Sequence, residues 1–169
     1  MTIPSYLKKG DKIGIVACAR KISKEELQPA IDILKGWGLE VVLSKNLFNS
    51  FNQFSGTDEQ RTEDLQTMLD DTSVKAVISA RGGYGTVRII DNLDFTSFKK
   101  NPKWIVGYSD ITVLHSHVNN LGIETIHATM PVNFEKNEEA AETLRNIFVM
   151  SFALGVVSIQ HMCTLPSIR

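Results

Sequence analysis

Apolar and polar positions are grouped along the chain in blocks that predict strands and helices in alternation. An apolar run over residues 12–19 (KIGIVACA) predicts a buried first strand. Ser23 stands three residues before Glu26, which is the spacing of a capping box at a helix start. The predicted helix then carries apolar residues on one face, namely Leu27, Ile31 and Leu34.

The same alternation continues to about residue 148. Further strands are predicted at 39–43, 74–80, 103–107 and 124–128. Further helices are predicted after a second capping box of Thr57 and Gln60, over 110–120 and over 137–148. Strands that alternate with helices through short connections predict an α/β fold, with a mostly parallel sheet and helices on both faces. This is the Rossmann-like or flavodoxin-like class.

Length and charge exclude several functions. The 169 residues suit one domain, and 18 basic against 19 acidic residues give a net charge of -1. That balance predicts no nucleic-acid or membrane partner. Cys18 and Cys163 lack the spacing of a zinc site or a disulfide framework, and no Gly-x-Gly-x-x-Gly follows the first strand. We therefore expect a cytoplasmic protein with no metal and no nucleotide cofactor.

In parallel sheets, ligands bind at the loops that leave the carboxyl ends of the strands. The loop after the third predicted strand reads Arg81-Gly82-Gly83-Tyr84-Gly85. Three glycines in four positions allow several N–H groups to point at one oxyanion or carboxylate, with Arg81 as a fixed charge. The same glycines are also compatible with a tight turn that has no ligand.

The loop after the fourth predicted strand reads Gly107-Tyr108-Ser109-Asp110 and leads directly into a helix. A strand, a Gly-x-Ser turn and a helix form the layout of a nucleophile elbow, which exposes the serine hydroxyl above the sheet. In that case the N–H of Asp110 can donate to an oxyanion. A serine at this position also suits a plain helix cap, and the spacing alone favours neither interpretation.

Taken together, RGGYG and GYSD resemble the N-terminal half of the LD-carboxypeptidase family of serine peptidases, which includes the microcin C immunity proteins. The resemblance extends over residues 10–147 and includes the first strand and the segment FSGTDEQR at 54–61. There are two departures. Cys18-Ala19 replaces a Pro-Ser pair, and HATM at 127–130 replaces His-Gly-Pro-Met.

The resemblance implies a metal-free enzyme that releases a terminal D-amino acid from murein tetrapeptide by cleaving an amide between an L- and a D-centre. Ser109 matches the nucleophile, with the N–H groups of Asp110 and Gly83 as the oxyanion hole. The substrate-binding residues implied are Arg81, Gly82, Tyr84 and His127. The family's base is a histidine oriented by a glutamate in a C-terminal domain, which we expect this chain to lack.

No local histidine completes a triad in the sequence. His115 and His117 lie about 200° apart on the predicted helix and face different directions, and His127 matches a wall residue of the family. We therefore expect weak or no turnover from residues 1–147, the nucleophile-bearing domain. The rival hypotheses are a catalytically silent domain that binds a peptide or carboxylate and, disfavoured by the missing glycine motif, a nucleotide-binding domain.

The segment 148–169 is predicted to be an atypical apolar tail, because Arg169 is its only Lys, Arg, Asp or Glu residue. Its composition suggests a shifted reading frame or a premature end. Together with the face that the family's C-terminal domain would cover, it predicts an exposed apolar surface. Since the family is similar in being dimeric, we expect a homodimer.

Overall fold

A five-stranded sheet with helices on both sides organises the part of the chain that the computed structural model describes, residues 1–148. The strands are β1 (Lys12–Val16), β2 (Glu40–Leu43), β3 (Val74–Ser79), β4 (Trp104–Gly107) and β5 (Ile126–His127). The helices are α1 (Lys24–Gly36), α2 (Asp58–Asp70), α3 (Thr96–Lys100), α4 (Thr112–Asn120) and α5 (Glu138–Phe148). Four short 3₁₀ turns are found at Thr86–Arg88, Ile90–Asn92, Ser109–Ile111 and Pro131–Asn133.

All neighbouring strands are parallel, in the order β2-β1-β3-β4-β5. This is the flavodoxin-like order, so the predicted fold class is confirmed. The chain leaves β1 toward one edge of the sheet and returns to build β3, β4 and β5 on the other side. The loops after β1 and β3 therefore separate at a topological switch point, where such sheets bind their ligands.

Two apolar layers hold the helices against the sheet. On one face α1 and α5 pack through residues such as Leu27, Leu34 and Leu144, which are at most 1% exposed. On the other face α2, α3 and α4 bury Leu65, Phe98 and others against the opposite side of the strands. Strands covered on both faces need almost continuous apolar runs, and this explains why the strands stand out in the sequence.

Both predicted capping boxes are present. The Glu26 N–H donates to Ser23 Oγ at 3.2 Å, and the Ser23 N–H donates back to Glu26 Oε2 at 2.9 Å. Thr57 and Gln60 make the same pair of bonds at 3.3 and 3.0 Å. These bonds satisfy N–H groups that a helix start leaves without partners, so they fix where α1 and α2 begin.

Several predicted boundaries are too long. The predicted first strand reaches residue 19 but β1 ends at Val16, while β5 covers only Ile126–His127 of the predicted 124–128. The helix predicted over 110–120 begins with the 3₁₀ turn Ser109–Ile111. The sequence also does not predict α3, because five residues are too few to show a helical period.

The predicted tail lies outside the described residues except for Phe148. Phe148 ends α5, is fully buried, and accepts a hydrogen bond from the Leu7 N–H at 2.8 Å. His161 and Cys163 also lie outside the described part. Within residues 1–148, no helix combines the length and the apolar character needed to cross a membrane.

Candidate active site

Ser109 occupies a sharp turn directly after β4. Its φ is 64°, one of two positive values among the non-glycine residues of the described chain. Such a conformation costs about 1 to 3 kcal/mol and is concentrated at functional sites. The residue is exposed, and its side chain caps neither the 3₁₀ turn Ser109–Ile111 nor α4. The geometry therefore favours the nucleophile elbow over the helix cap.

The glycine loop after β3 lies against this serine. A Cβ atom added to Gly82 would stand 3.0 Å from Ser109 Oγ and 2.9 Å from Ser109 Cβ. Gly83 and Gly85 have φ values of 135° and 153°, which side chains rarely tolerate. Both glycines therefore occupy conformations unsuited to alanine. Only a glycine-lined loop can approach the serine hydroxyl this closely.

The carboxylate of Asp110 fixes the glycine loop. It accepts hydrogen bonds from the Thr86 N–H at 2.8 Å, the Thr86 hydroxyl at 2.6 Å and the Gly85 N–H at 3.3 Å. A carboxylate with these partners is oriented toward the loop, so it holds the loop in place and does not act as a base for Ser109. The two loops are thereby joined behind the nucleophile.

Two backbone donors remain close to Ser109. The Gly83 N–H makes no hydrogen bond within residues 1–148, and Asp110 lies in the first helical turn, where N–H groups lack intrahelical acceptors. The Gly85 and Thr86 N–H groups, in contrast, already donate to Asp110. The Gly83 and Asp110 N–H groups, which the sequence predicts for the oxyanion hole, are thus not occupied by other acceptors, and that role stays a prediction.

Arg61 joins the loop after β1 to the glycine loop, a role that the sequence does not predict. Its guanidinium is 1% exposed and donates to the carbonyl of Cys18, to the carbonyl of Gly85 at 3.0 Å, and to the carboxylate of Asp58. The signal is present in the sequence, because Arg61 precedes Leu65 by four residues on the inward face of α2. A charged residue at such a position points to a buried polar contact.

The predicted substrate-binding residues are spread around the loops. Arg81 turns to the start of α1, where one terminal nitrogen donates to the Lys21 carbonyl at 3.1 Å and lies 3.4 Å from Glu26 Oε1. Tyr84 is 54% exposed at the tip of the glycine loop. His127 is exposed at the end of β5, on the other side of Ser109, with its ring centroid 6.3 Å from that of Tyr108.

No described histidine acts on the serine. His115 is buried, and its Nε2 lies 2.9 Å from the Gly107 carbonyl, to which a neutral ring donates. His117 stacks on Phe95 at 4.5 Å between ring centroids. The two rings therefore face different directions, as predicted, and residues 1–148 supply no imidazole hydrogen-bonded to the Ser109 hydroxyl.

Burial sets the protonation of two groups beneath the site. Loss of solvent, and next the charge of Asp110, raise the pKa of Cys18 to about 12, so this thiol stays protonated. Burial also lowers the pKa of His115, against the effect of its bond to Gly107. Cys18 therefore does not offer a thiolate nucleophile, and His115 is a weaker base than an exposed histidine. Residues 1–148 contain no cluster of three or more His, Cys, Asp or Glu side chains able to hold a metal ion.

Comparisons with known proteins agree on one family. The family model of the LD-carboxypeptidase N-terminal domain matches residues 13–128. A Bacillus subtilis protein named "Probable murein peptide carboxypeptidase" is 42% identical over 128 residues, which cover 75% of this chain and 40% of that protein. The murein tetrapeptide carboxypeptidase of Pseudomonas aeruginosa is 31% identical over 117 residues, or 69% of this chain and 38% of that protein.

A solved structure supports the same relation. The crystal structure of an MccF-like protein from Bacillus anthracis superposes with a TM-score of 0.81 at 26% identity, covering 88% of this chain and 47% of that one. The chain spans less than half the length of these relatives. The family model describes an N-terminal domain, and the residues it matches include the Gly-Tyr-Ser-Asp turn of this chain.

Proposed function

The chain belongs to the LD-carboxypeptidase family, and from that premise we propose that Ser109 is the nucleophile of a serine carboxypeptidase that releases a terminal D-amino acid from a murein-derived peptide. The observation that carries the proposal is the exposed Ser109 at φ 64°, beside a glycine loop with free N–H groups. The substrate class rests on the names of the relatives, which are murein peptide and murein tetrapeptide carboxypeptidases.

The proposed reaction is acyl transfer through an ester. Ser109 Oγ attacks the carbonyl carbon of the scissile amide while a base accepts the hydroxyl proton. The carbonyl oxygen becomes an oxyanion that accepts hydrogen bonds from the N–H groups of Gly83 and Asp110. The C–N bond then breaks, the proton passes to the leaving amine, and water hydrolyses the ester to regenerate the serine. No metal or cofactor enters these steps.

The base is the part that the described residues do not supply. By family resemblance it is a histidine held by a glutamate, and we propose that this pair comes from another chain, because residues 149–169 contain no glutamate. General-base catalysis contributes about 10²- to 10⁴-fold to rate. We therefore expect this chain alone to turn over murein tetrapeptide at least about a hundredfold more slowly than a family enzyme with an intact base.

The test is release of D-alanine from a synthetic murein tetrapeptide by the purified chain, with Ser109→Ala as the control. We expect slow release that the control abolishes. Release at the rate of a complete family enzyme would contradict the missing base, and slow release that survives Ser109→Ala would contradict the nucleophile.

A second function remains open because no described imidazole reaches Ser109. The same loops can hold a peptide or carboxylate without cleaving it, as a binding domain. Saturable binding of tetrapeptide, with no Ser109-dependent release of D-alanine even when a family enzyme's C-terminal domain is added, would favour this alternative.

A further inference from the structure

A cleft with several polar side chains in its lining lies beside Ser109, on the side away from the glycine loop. It has a volume of about 430 Å³ and opens between the turn after β4, the end of β5 and the start of α5. Its lining consists of Tyr108, His127, Ala128, Thr129, Asn133, Lys136, Asn137 and Ala140. Because Tyr108 directly precedes the serine, a ligand bound at Ser109 is within reach of this cleft.

Internal hydrogen bonds leave the lining rich in donors. Asn133 Nδ2 donates to the Tyr108 hydroxyl oxygen at 2.7 Å, so the Tyr108 O–H proton is available to another acceptor. Asn137 Oδ1 accepts from the Ala140 N–H at 3.0 Å and caps α5, which leaves the two N–H bonds of its amide. Both residues therefore present hydrogen-bond donors to a ligand.

The charge of the lining is positive. Lys136 is exposed, and no carboxylate of residues 1–148 lies within 4.0 Å of its ammonium group. Glu135, Glu138 and Glu139 are neighbours in sequence but do not line the cleft. An unpaired ammonium group, a phenol donor and an amide donor are complementary to a carboxylate.

We propose that this cleft binds a carboxylate of the peptide substrate, with Lys136 as its ionic partner and Tyr108 and Asn137 as hydrogen-bond donors. The inference rests on the proposed function of Ser109 and adds a specificity determinant to it. A murein-type tetrapeptide offers two candidate groups, the carboxylate of the terminal D-residue and the α-carboxylate of the γ-linked D-glutamate. The recognition chemistry is the same for both.

The experiment is an NMR titration of the chain with L-alanyl-γ-D-glutamyl-L-lysyl-D-alanine, followed through backbone amide signals. Ala128 and Asn137 report on the cleft, and Gly83 and Asp110 report on the surroundings of Ser109. The variants are Lys136→Gln and the charge-preserving Lys136→Arg. Lys100→Gln is the matched control, because it removes an exposed lysine at the opposite end of the sheet.

We expect Lys136→Gln to weaken binding about three- to tenfold, while Lys136→Arg and Lys100→Gln keep the affinity of the unmodified chain. Amidating the carboxylate that occupies the cleft should weaken binding to the unmodified chain as much as Lys136→Gln does. The same amidation should not weaken binding to the Lys136→Gln variant any further. Peptides amidated at one carboxylate or the other identify which of the two is bound.

The outcomes separate the two proposals. If Gly83 and Asp110 shift but Lys136→Gln binds as well as the unmodified chain, the cleft proposal is wrong and the proposed function stands. If only the cleft signals shift, the carboxylate site stands and the proposed role of Ser109 loses its support. No shift at any of the four amides at millimolar peptide would overturn both.

Discussion

Replacing Gly85 by alanine tests how tightly the glycine loop is built into the site. The residue has a φ of 153°, so a side chain is strained there, at about 1 to 3 kcal/mol. The new Cβ would also stand 2.6 Å from Arg61 Nη1, 3.1 Å from Ala19 Cα and 3.2 Å from the Cys18 carbonyl oxygen. Backbone cannot move aside as a flexible side chain does, and overpacking of this kind costs a further 1 to 3 kcal/mol, roughly. We expect a total loss of about 2 to 6 kcal/mol.

Three other glycines separate the two contributions. Gly10 has a φ of 91° but nothing within 4 Å of an added Cβ, so Gly10→Ala should cost only the strain, about 1 to 3 kcal/mol. Gly83→Ala meets the Arg20 side chain near its backbone end, at Cγ and Cδ, and should therefore cost more than Gly10→Ala. Gly36 ends α1 with open space around it, so Gly36→Ala should stabilise the fold by about 0.5 to 1 kcal/mol.

The assay is urea unfolding followed by circular dichroism, with all four variants compared at one pH. The expected order of stability is Gly36→Ala above the unmodified chain, then Gly10→Ala, then Gly83→Ala, and Gly85→Ala lowest. If Gly85→Ala loses no more stability than Gly10→Ala, the contacts between the glycine loop and the loop after β1 do not constrain the site. In that case the argument for a rigid loop behind Ser109 fails.

Three further predictions concern other parts of the molecule. Asp110→Asn should lower stability by about 1 to 2 kcal/mol and speed hydrogen exchange at the Thr86 amide, whose acceptor is then uncharged; unchanged exchange would contradict the bridge. Because burial holds the pKa of His115 below 6.5, its contribution to stability is complete above pH 6.5 and falls as the pH drops through the lowered pKa. The urea unfolding midpoint should therefore be lower at pH 5.5 than at pH 7.5, and this difference should be smaller in the His115→Gln variant. The chain should sediment at about twice its 18.8 kDa, because the face that the family's C-terminal domain would cover is expected to be apolar, whereas a single species of 18.8 kDa would argue against the dimer.

The sequence predicted the fold well because the signals that carry it are local. Strands buried on both faces require continuous apolar runs, and both capping boxes are recognisable from two residues each. Boundaries were less accurate, as at β5, because a strand ends where its neighbour stops pairing. The end of strand pairing depends on tertiary structure, so it cannot be predicted from the sequence of residues 124–128.

The site could be predicted only in part, for a similar reason. The Gly-x-Ser turn and the glycine loop are short motifs, so Ser109 and Gly83 could be selected directly from the sequence. Arg81 shows the opposite case, since its pairing with the start of α1 depends on a contact between residues 55 positions apart. The bond between Asp110 and Thr86 could not be predicted from the sequence, because only the folded sheet brings the two loops together.

The loops that carry the proposed oxyanion hole are therefore held rigidly. Asp110 joins the loops after β3 and β4, and Arg61 joins the loops after β1 and β3, so three strand ends are fixed relative to one another. Donors that do not reorganise during reaction stabilise developing charge most effectively. A base, in contrast, has to exchange protons with both the serine and the leaving amine. If the proposed function holds, the rate should then depend on how the base is delivered to the proposed nucleophile Ser109 and its oxyanion hole.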